Sequence, residues 1–173
     1  DFRNLPSPGN PETPPDMSTP VAFIEKWSLS GASEASNAQS FTNDLCDLIG
    51  VRNPDPTLPD ERENTYVFEK SVPSTRGVKK IDCYRRGHFI LEHKQGAEAL
   101  AAGPALSLKK QTEQKARKTG NGKRGSKTWD TAMEKAKKQA ENYARLLPTE
   151  EIVGGRPPFI MVADVGHSIA VYA

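Results

Sequence analysis

The chain has 173 residues, 35% of them hydrophobic and 27% charged, and a formal net charge of +2. This length admits one domain with a real core and a polar tail. No apolar run is long enough to span a bilayer and no signal peptide precedes the first helix, so the composition argues against membrane-spanning and secreted classes. Cys46 and Cys83 have no metal-ligand spacing to the three histidines. They are expected to be reduced core thiols of a cytoplasmic protein.

Residues 1–20 carry six prolines and few large apolar side chains, which predicts a disordered lead-in before a domain over 21–173. Thr19-Pro20 has the form of a helix cap followed by proline at the first helical position, so a short helix is predicted over Val21–Trp27. Ser30-Gly31-Ala32-Ser33 breaks the chain ahead of a helix over Glu34–Ile49, with an apolar stripe of Ala38, Phe41, Leu45, Leu48 and Ile49. Glu34 lies one turn before Ala38 on that stripe and should point inward. A first strand is expected over Thr65–Val72, with Glu69 and Lys70 as edge or solvent residues.

Lys79–Tyr84 and His88–Lys94 then read as two strands of a hairpin, joined by Arg85-Arg86-Gly87. Pairing Tyr84 with His88 places Asp82 opposite Ile90 and makes Glu92 its diagonal neighbour. Such neighbours lie roughly 7–8 Å apart between backbones, close enough for two carboxylates to converge on one cation. Ile90, Glu92 and Lys94 share the face of Asp82 because side chains alternate along a strand. The hairpin thus offers two acids and an amine on one face.

The segment from Lys109 to Lys127 is strongly basic. Lys109, Lys110, Lys115, Arg117, Lys118, Lys123, Arg124 and Lys127 face a single acid, Glu113, giving +7 here and −5 in the remainder. It belongs to a loop over 96–127 that is too long for an ordinary connection. A flexible basic arm leaving the strand of Glu92 and Lys94 can track a phosphate backbone, and these eight residues are its expected contacts. A long helix over Thr128–Leu147 follows, with a 3.6-residue stripe from Trp129 to Leu147 that includes Tyr143. Gln139 and Tyr143, four apart, are neighbours on its surface. Strands at Phe159–Ala163 and Ser168–Tyr172 complete the pattern. The chain stops straight after the second of them, which reads as a cut through a longer protein.

Asp82-x9-Glu92-x-Lys94 resembles the signature of the PD-(D/E)XK nucleases, with Ile81 where the family has proline. Gln139-x-x-x-Tyr143 resembles the additional motif of the RecB-like branch. Helix, three strands, helix and strands is the αβββαβ order of that α/β fold, a mixed central sheet flanked by helices. More closely, FIEKWSLSGASEASNAQSFTNDLCDLIGV, YVFEKSV, IDCYRRGHFILEHKQ, AMEKAKKQAENYARLLP and RPPFIMVADVGHSIAVYA resemble the amino-terminal nuclease domain of MmeI-like type IIG restriction–modification enzymes and related phage-defence proteins.

The resemblance implies a Mg2+-dependent endonuclease acting on double-stranded DNA, with Mn2+ able to substitute. Asp82 and Glu92 would bind metal, joined by the backbone carbonyl of His93, whose ring turns to the core. Lys94 would orient water or phosphate, Gln139 and Tyr143 would support Lys94, and Glu34 could add a carboxylate. It also implies S-adenosylmethionine only in a fused downstream methyltransferase, a target-recognition domain that fixes the cut, and dimerisation for double-strand cleavage. Two other readings stay open: a catalytically silent nuclease-fold module that binds DNA or regulates, and an RNA- or junction-directed nuclease.

Overall fold

The computed structural model describes residues 19–28, 34–96 and 122–173, with the side chains of 34–36 outside that description. The predicted lead-in and most of the predicted basic loop fall outside the described residues. In chain order the elements are α1 (Pro20–Ser28), α2 (Glu34–Ile49), β1 (Tyr66–Ser74), β2 (Gly77–Arg85), β3 (Phe89–Lys94), α3 (Lys127–Leu146), a 3-10 turn at Thr149–Glu151, β4 (Phe159–Asp164) and β5 (Ser168–Tyr172). Thr19 caps α1 as predicted, its hydroxyl accepting from the Ala22 amide. Among the described residues no helix is long and apolar enough to cross a membrane.

The five strands form one mixed sheet in sequence order. β3 and β4 run parallel and the other neighbours antiparallel. The parallel step is where the chain needs a crossover, and α3 supplies it. One face of the sheet packs Tyr66, Cys83, Leu91, Ala163 and Val165 against Trp27 of α1 and Phe41 of α2. The other packs Val72, Ile81, Tyr84 and Ile90 against Ala140 and Tyr143 of α3. This is an α/β sheet flanked by three helices, consistent with the predicted nuclease-like core. Both cysteines are free and buried.

The α2 stripe is rotated from the prediction. Phe41, Thr42 and Cys46 are buried, whereas Ile49 is 61% exposed. Thr42 goes inside because its hydroxyl has a buried partner, described below.

Strict alternation fails at one level of the β1–β2 ladder. The register runs Phe68↔Cys83 and then Lys70↔Ile81, passing over Glu69 and Asp82. Phe68 and Cys83 pack toward α1 and α2, yet Ile81 and Val72 pack toward α3. Both strands therefore switch faces at this level. Glu69 carries the distortion, with φ +55 in the left-handed region that costs an L-residue about 1–2 kcal/mol. The switch also corrects the expectation for Lys70. It lies on the edge strand but is 2% exposed, its amine turned inward onto Glu151 of the 3-10 turn instead of into solvent. Glycine takes a positive φ freely, so Glu69→Gly is expected to hold or raise the unfolding free energy, while a β-branched Glu69→Ile lowers it by about 1 kcal/mol or more. Urea titration of the two variants measures this.

Candidate active site

The central hairpin closes differently from the simplest reading of its sequence. Arg85 pairs with Phe89, Tyr84 with Ile90 and Cys83 with Leu91. The turn spans Arg85–His88, closed by the His88 amide donating to the Arg85 carbonyl at 3.0 Å. Gly87 has φ +68 at its third position, the place where a type II turn requires a positive φ. The register is thus shifted by two residues from the Tyr84–His88 pairing, which preserves the faces. Continuing it puts Asp82 level with Glu92 instead of diagonal to it.

Backbone pairing between β2 and β3 stops at Cys83↔Leu91, while β3 continues alongside β4 through Lys94. Past that point Asp82 uses its side chain in place of its backbone. Its carboxylate Oδ2 accepts the His93 amide at 2.7 Å. The face switch at Asp82 is what frees this carboxylate to reach β3. Burial pushes the Asp82 carboxyl up, but the ring and main-chain N–H of His93 outweigh it and hold the acid below its ordinary value. Asp82 is therefore ionised across the physiological range.

Glu92 and Lys94 meet on the α3 side of β3. The Lys94 amine donates to Glu92 Oε1 at 2.9 Å and to the His93 carbonyl at 2.7 Å. Gln139 of α3 donates its amide to the same Glu92 oxygen and to the Tyr143 hydroxyl, the latter at 3.0 Å. Gln139 and Tyr143 are expected from the resemblance to support Lys94. They reach it through Glu92, whose carboxylate they fix. Burial, reinforced by the charge of Glu92, pushes the Tyr143 phenol up, so it stays neutral.

The His93 ring turns to the opposite face, as expected, and is 1% exposed. Its Nε2 hydrogen-bonds Thr42 of α2 at 2.8 Å, and its Nδ1 lies 3.6 Å from Asp82 Oδ2. One residue thus touches the site twice, through its backbone and through its ring. Sequence reasoning missed Thr42; the available signal was its place one turn after Ala38 on the inward stripe of α2. Glu34 opens α2, and its side chain lies outside the described residues.

The basic residues divide. Lys109, Lys110, Lys115, Arg117 and Lys118 lie outside the described residues. Lys123 and Lys127 are exposed. Arg124 instead is turned inward. Its guanidinium, 6% exposed, donates to the fully buried Asp164 at 2.9 Å and to the Val165 carbonyl at 2.7 Å. Asp164 also accepts the Gly96 amide and the Trp129 indole N–H. That carboxylate ties the end of the β3 segment to the start of α3.

Among the described residues no group of three or more His, Cys, Asp and Glu side chains is gathered to hold a metal ion. The oxygens that could serve a cation here are those of Asp82, Glu92 and the His93 carbonyl, all hard donors, with Glu92 Oε1 and the His93 carbonyl accepting the Lys94 amine in this structure. That set suits Mg2+, which keeps several waters and takes few protein ligands.

A family model described as the MmeI N-terminal domain matches residues 18–173. No curated protein and no solved structure matches the chain. With that match running over every strand and helix among the described residues, the chain belongs to the MmeI N-terminal domain family.

Proposed function

We propose that this domain is a Mg2+-dependent DNA endonuclease that hydrolyses phosphodiester bonds. The coarse part of this reading comes with the family, since an MmeI amino-terminal domain points to a multidomain restriction–modification enzyme acting on DNA. The finer part is supported by one observation above all. Asp82, Glu92 and Lys94 are held on adjacent strands at the point where β2 leaves β3, and the amine lies 2.9 Å from a nearly buried carboxylate.

In this proposal Asp82, Glu92 and the His93 carbonyl hold the cation. The bound ion would supply Lewis-acid stabilisation of phosphoryl charge and a more acidic water. Lys94 places a fixed positive charge where the attacked phosphate gathers negative charge. Gln139, anchored by Tyr143, keeps the Glu92 carboxylate in one orientation. The ionised Asp82 needs no proton removed before it can bind a cation.

Metal binding is the first test. Calorimetric titration of Mg2+ or Mn2+ into wild type should give a binding isotherm, and Asp82→Ala should lose at least about tenfold in affinity. Equal binding by the two proteins would remove Asp82 from the ligand set. The target sequence, the fused methyltransferase that would take S-adenosylmethionine, and dimerisation for double-strand cleavage belong to the same proposal.

A further inference from the structure

A cleft of about 260 Å³ opens beside the Glu92–Lys94–Gln139 cluster, lined by Lys94, Thr128, Thr131, Ala132, Lys135, Ala136 and Gln139. Six of the seven lining residues come from one face of α3. They extend from Gln139 back to Thr128, about 16 Å along the helix axis at 1.5 Å per residue. Among the described residues the lining holds two amines, two hydroxyls and an amide, and no carboxylate. Of the acids of α3, Asp130 is exposed and does not line the cleft, Glu134 pairs with Lys138 at 3.5 Å and Glu141 with Lys137 at 3.8 Å. Lys135 makes no ion pair among the described residues.

Small-molecule pockets usually measure about 300–1,000 Å³ and are mainly apolar. This cleft is smaller, open and cationic. Such a lining suits a run of phosphates better than a nucleobase or a coenzyme. Each strand of a duplex carries a phosphate about every 3.4 Å along its axis, so a groove of this length passes more than one.

Resting on the nuclease reading, we propose that this cleft is the path of the cut strand. The scissile phosphate lies at Lys94, and Lys135 holds a neighbouring phosphate about one helical turn along α3. Thr128, two turns before Lys135 on the same face, marks the far end of the path. Thr131 serves as wall, because its hydroxyl already donates to the Lys127 carbonyl at 2.8 Å.

The test compares two single-charge changes on one helix. Affinity for a short duplex of mixed sequence is measured against salt in EDTA, for wild type, Lys135→Ala, Lys135→Arg and Lys138→Ala. Lys135→Ala should lower the slope of log affinity against log salt by about 1, Lys135→Arg should restore it, and Lys138→Ala, outside the cleft, should leave it unchanged. An unchanged slope for Lys135→Ala, or an equal loss for Lys138→Ala, would overturn the path. Asp82→Ala assayed in parallel for metal-dependent cleavage separates the two ideas. If it abolishes cutting while Lys135→Ala leaves the slope intact, the cleft assignment falls and the nuclease reading stands. If it cuts like wild type, the nuclease reading itself falls.

Discussion

Lys94→Ala is expected to cut DNA about 10²–10³-fold more slowly than wild type while still binding metal. The lysine side chain belongs to neither core cluster, so the change should leave the fold in place. Its amine bridges Glu92 and the His93 carbonyl and faces the cleft. In the proposed mechanism this charge would sit beside the reacting phosphate, and Asp82 and Glu92 would remain to hold the cation. Removing it also takes a counter-charge from a nearly buried carboxylate, at a cost of about 1–3 kcal/mol. The denaturation midpoint should therefore drop modestly, and metal affinity should persist. Plasmid cleavage, thermal denaturation and calorimetry on the same preparation separate the effects. Wild-type cutting by Lys94→Ala would remove the amine from the chemistry.

The largest stability effect is expected far from this site. Glu151, in the turn after α3, is 3% exposed and ties three elements together. It accepts from Lys70 of β1 at 2.8 Å, from Tyr84 of β2 at 2.9 Å, and from Arg86 at 2.6 and 2.8 Å. Removing one partner of a buried ion pair leaves the other charge uncompensated, which costs about 3–5 kcal/mol. Glu151→Ala should lose about 3 kcal/mol, toward the lower end, because the buried Lys70 would keep only the more distant Glu61 carboxylate at 3.6 Å and Arg86 would lose both of its contacts to Glu151.

The pH dependence follows from the same contacts. Burial pushes the Glu151 carboxyl up, but hydrogen bonds from Arg86, Lys70 and Tyr84 outweigh it and hold it below the ordinary 4.5. A carboxyl depressed in the folded state contributes stability that is complete above its unfolded value and is lost as pH falls through its folded value. The gap in urea midpoint between wild type and Glu151→Gln should therefore be constant near neutrality and narrow below about pH 4.5. A gap that stayed constant down to pH 3 would show that the carboxylate charge is not what holds the cluster.

The elements were legible in the sequence because their periodicities are strong. Glu34–Ile49 and Ser168–Tyr172 fall where the pattern put them, and the other elements differ by a residue or two at their ends. Neighbourhood on β3 was legible too, since Glu92 and Lys94 are two apart on one strand. So was Gln139–Tyr143, because residues four apart share a helix face. What the pattern could not carry was anything set by a local break in geometry. The left-handed Glu69 moves Lys70 from solvent to interior, and no residue type in TYVFEKSV announces it. Gly87 fitted two turn placements, and only the closed hydrogen bond at Arg85 chooses between them. Arg124 read as a phosphate contact of the basic arm, and nothing in the sequence singled out Glu151. Each is buried through partners distant along the chain, which single-sequence reasoning cannot supply.

In the proposed mechanism a metal held by Asp82 and Glu92 drives phosphodiester cleavage. The most direct measurement incubates supercoiled plasmid with wild type and with Asp82→Ala, each in Mg2+ and in EDTA. Nicked or linear product is expected from wild type in Mg2+ alone, and none from Asp82→Ala in either buffer. Cleavage by wild type in EDTA, or equal cleavage by Asp82→Ala in Mg2+, would contradict it.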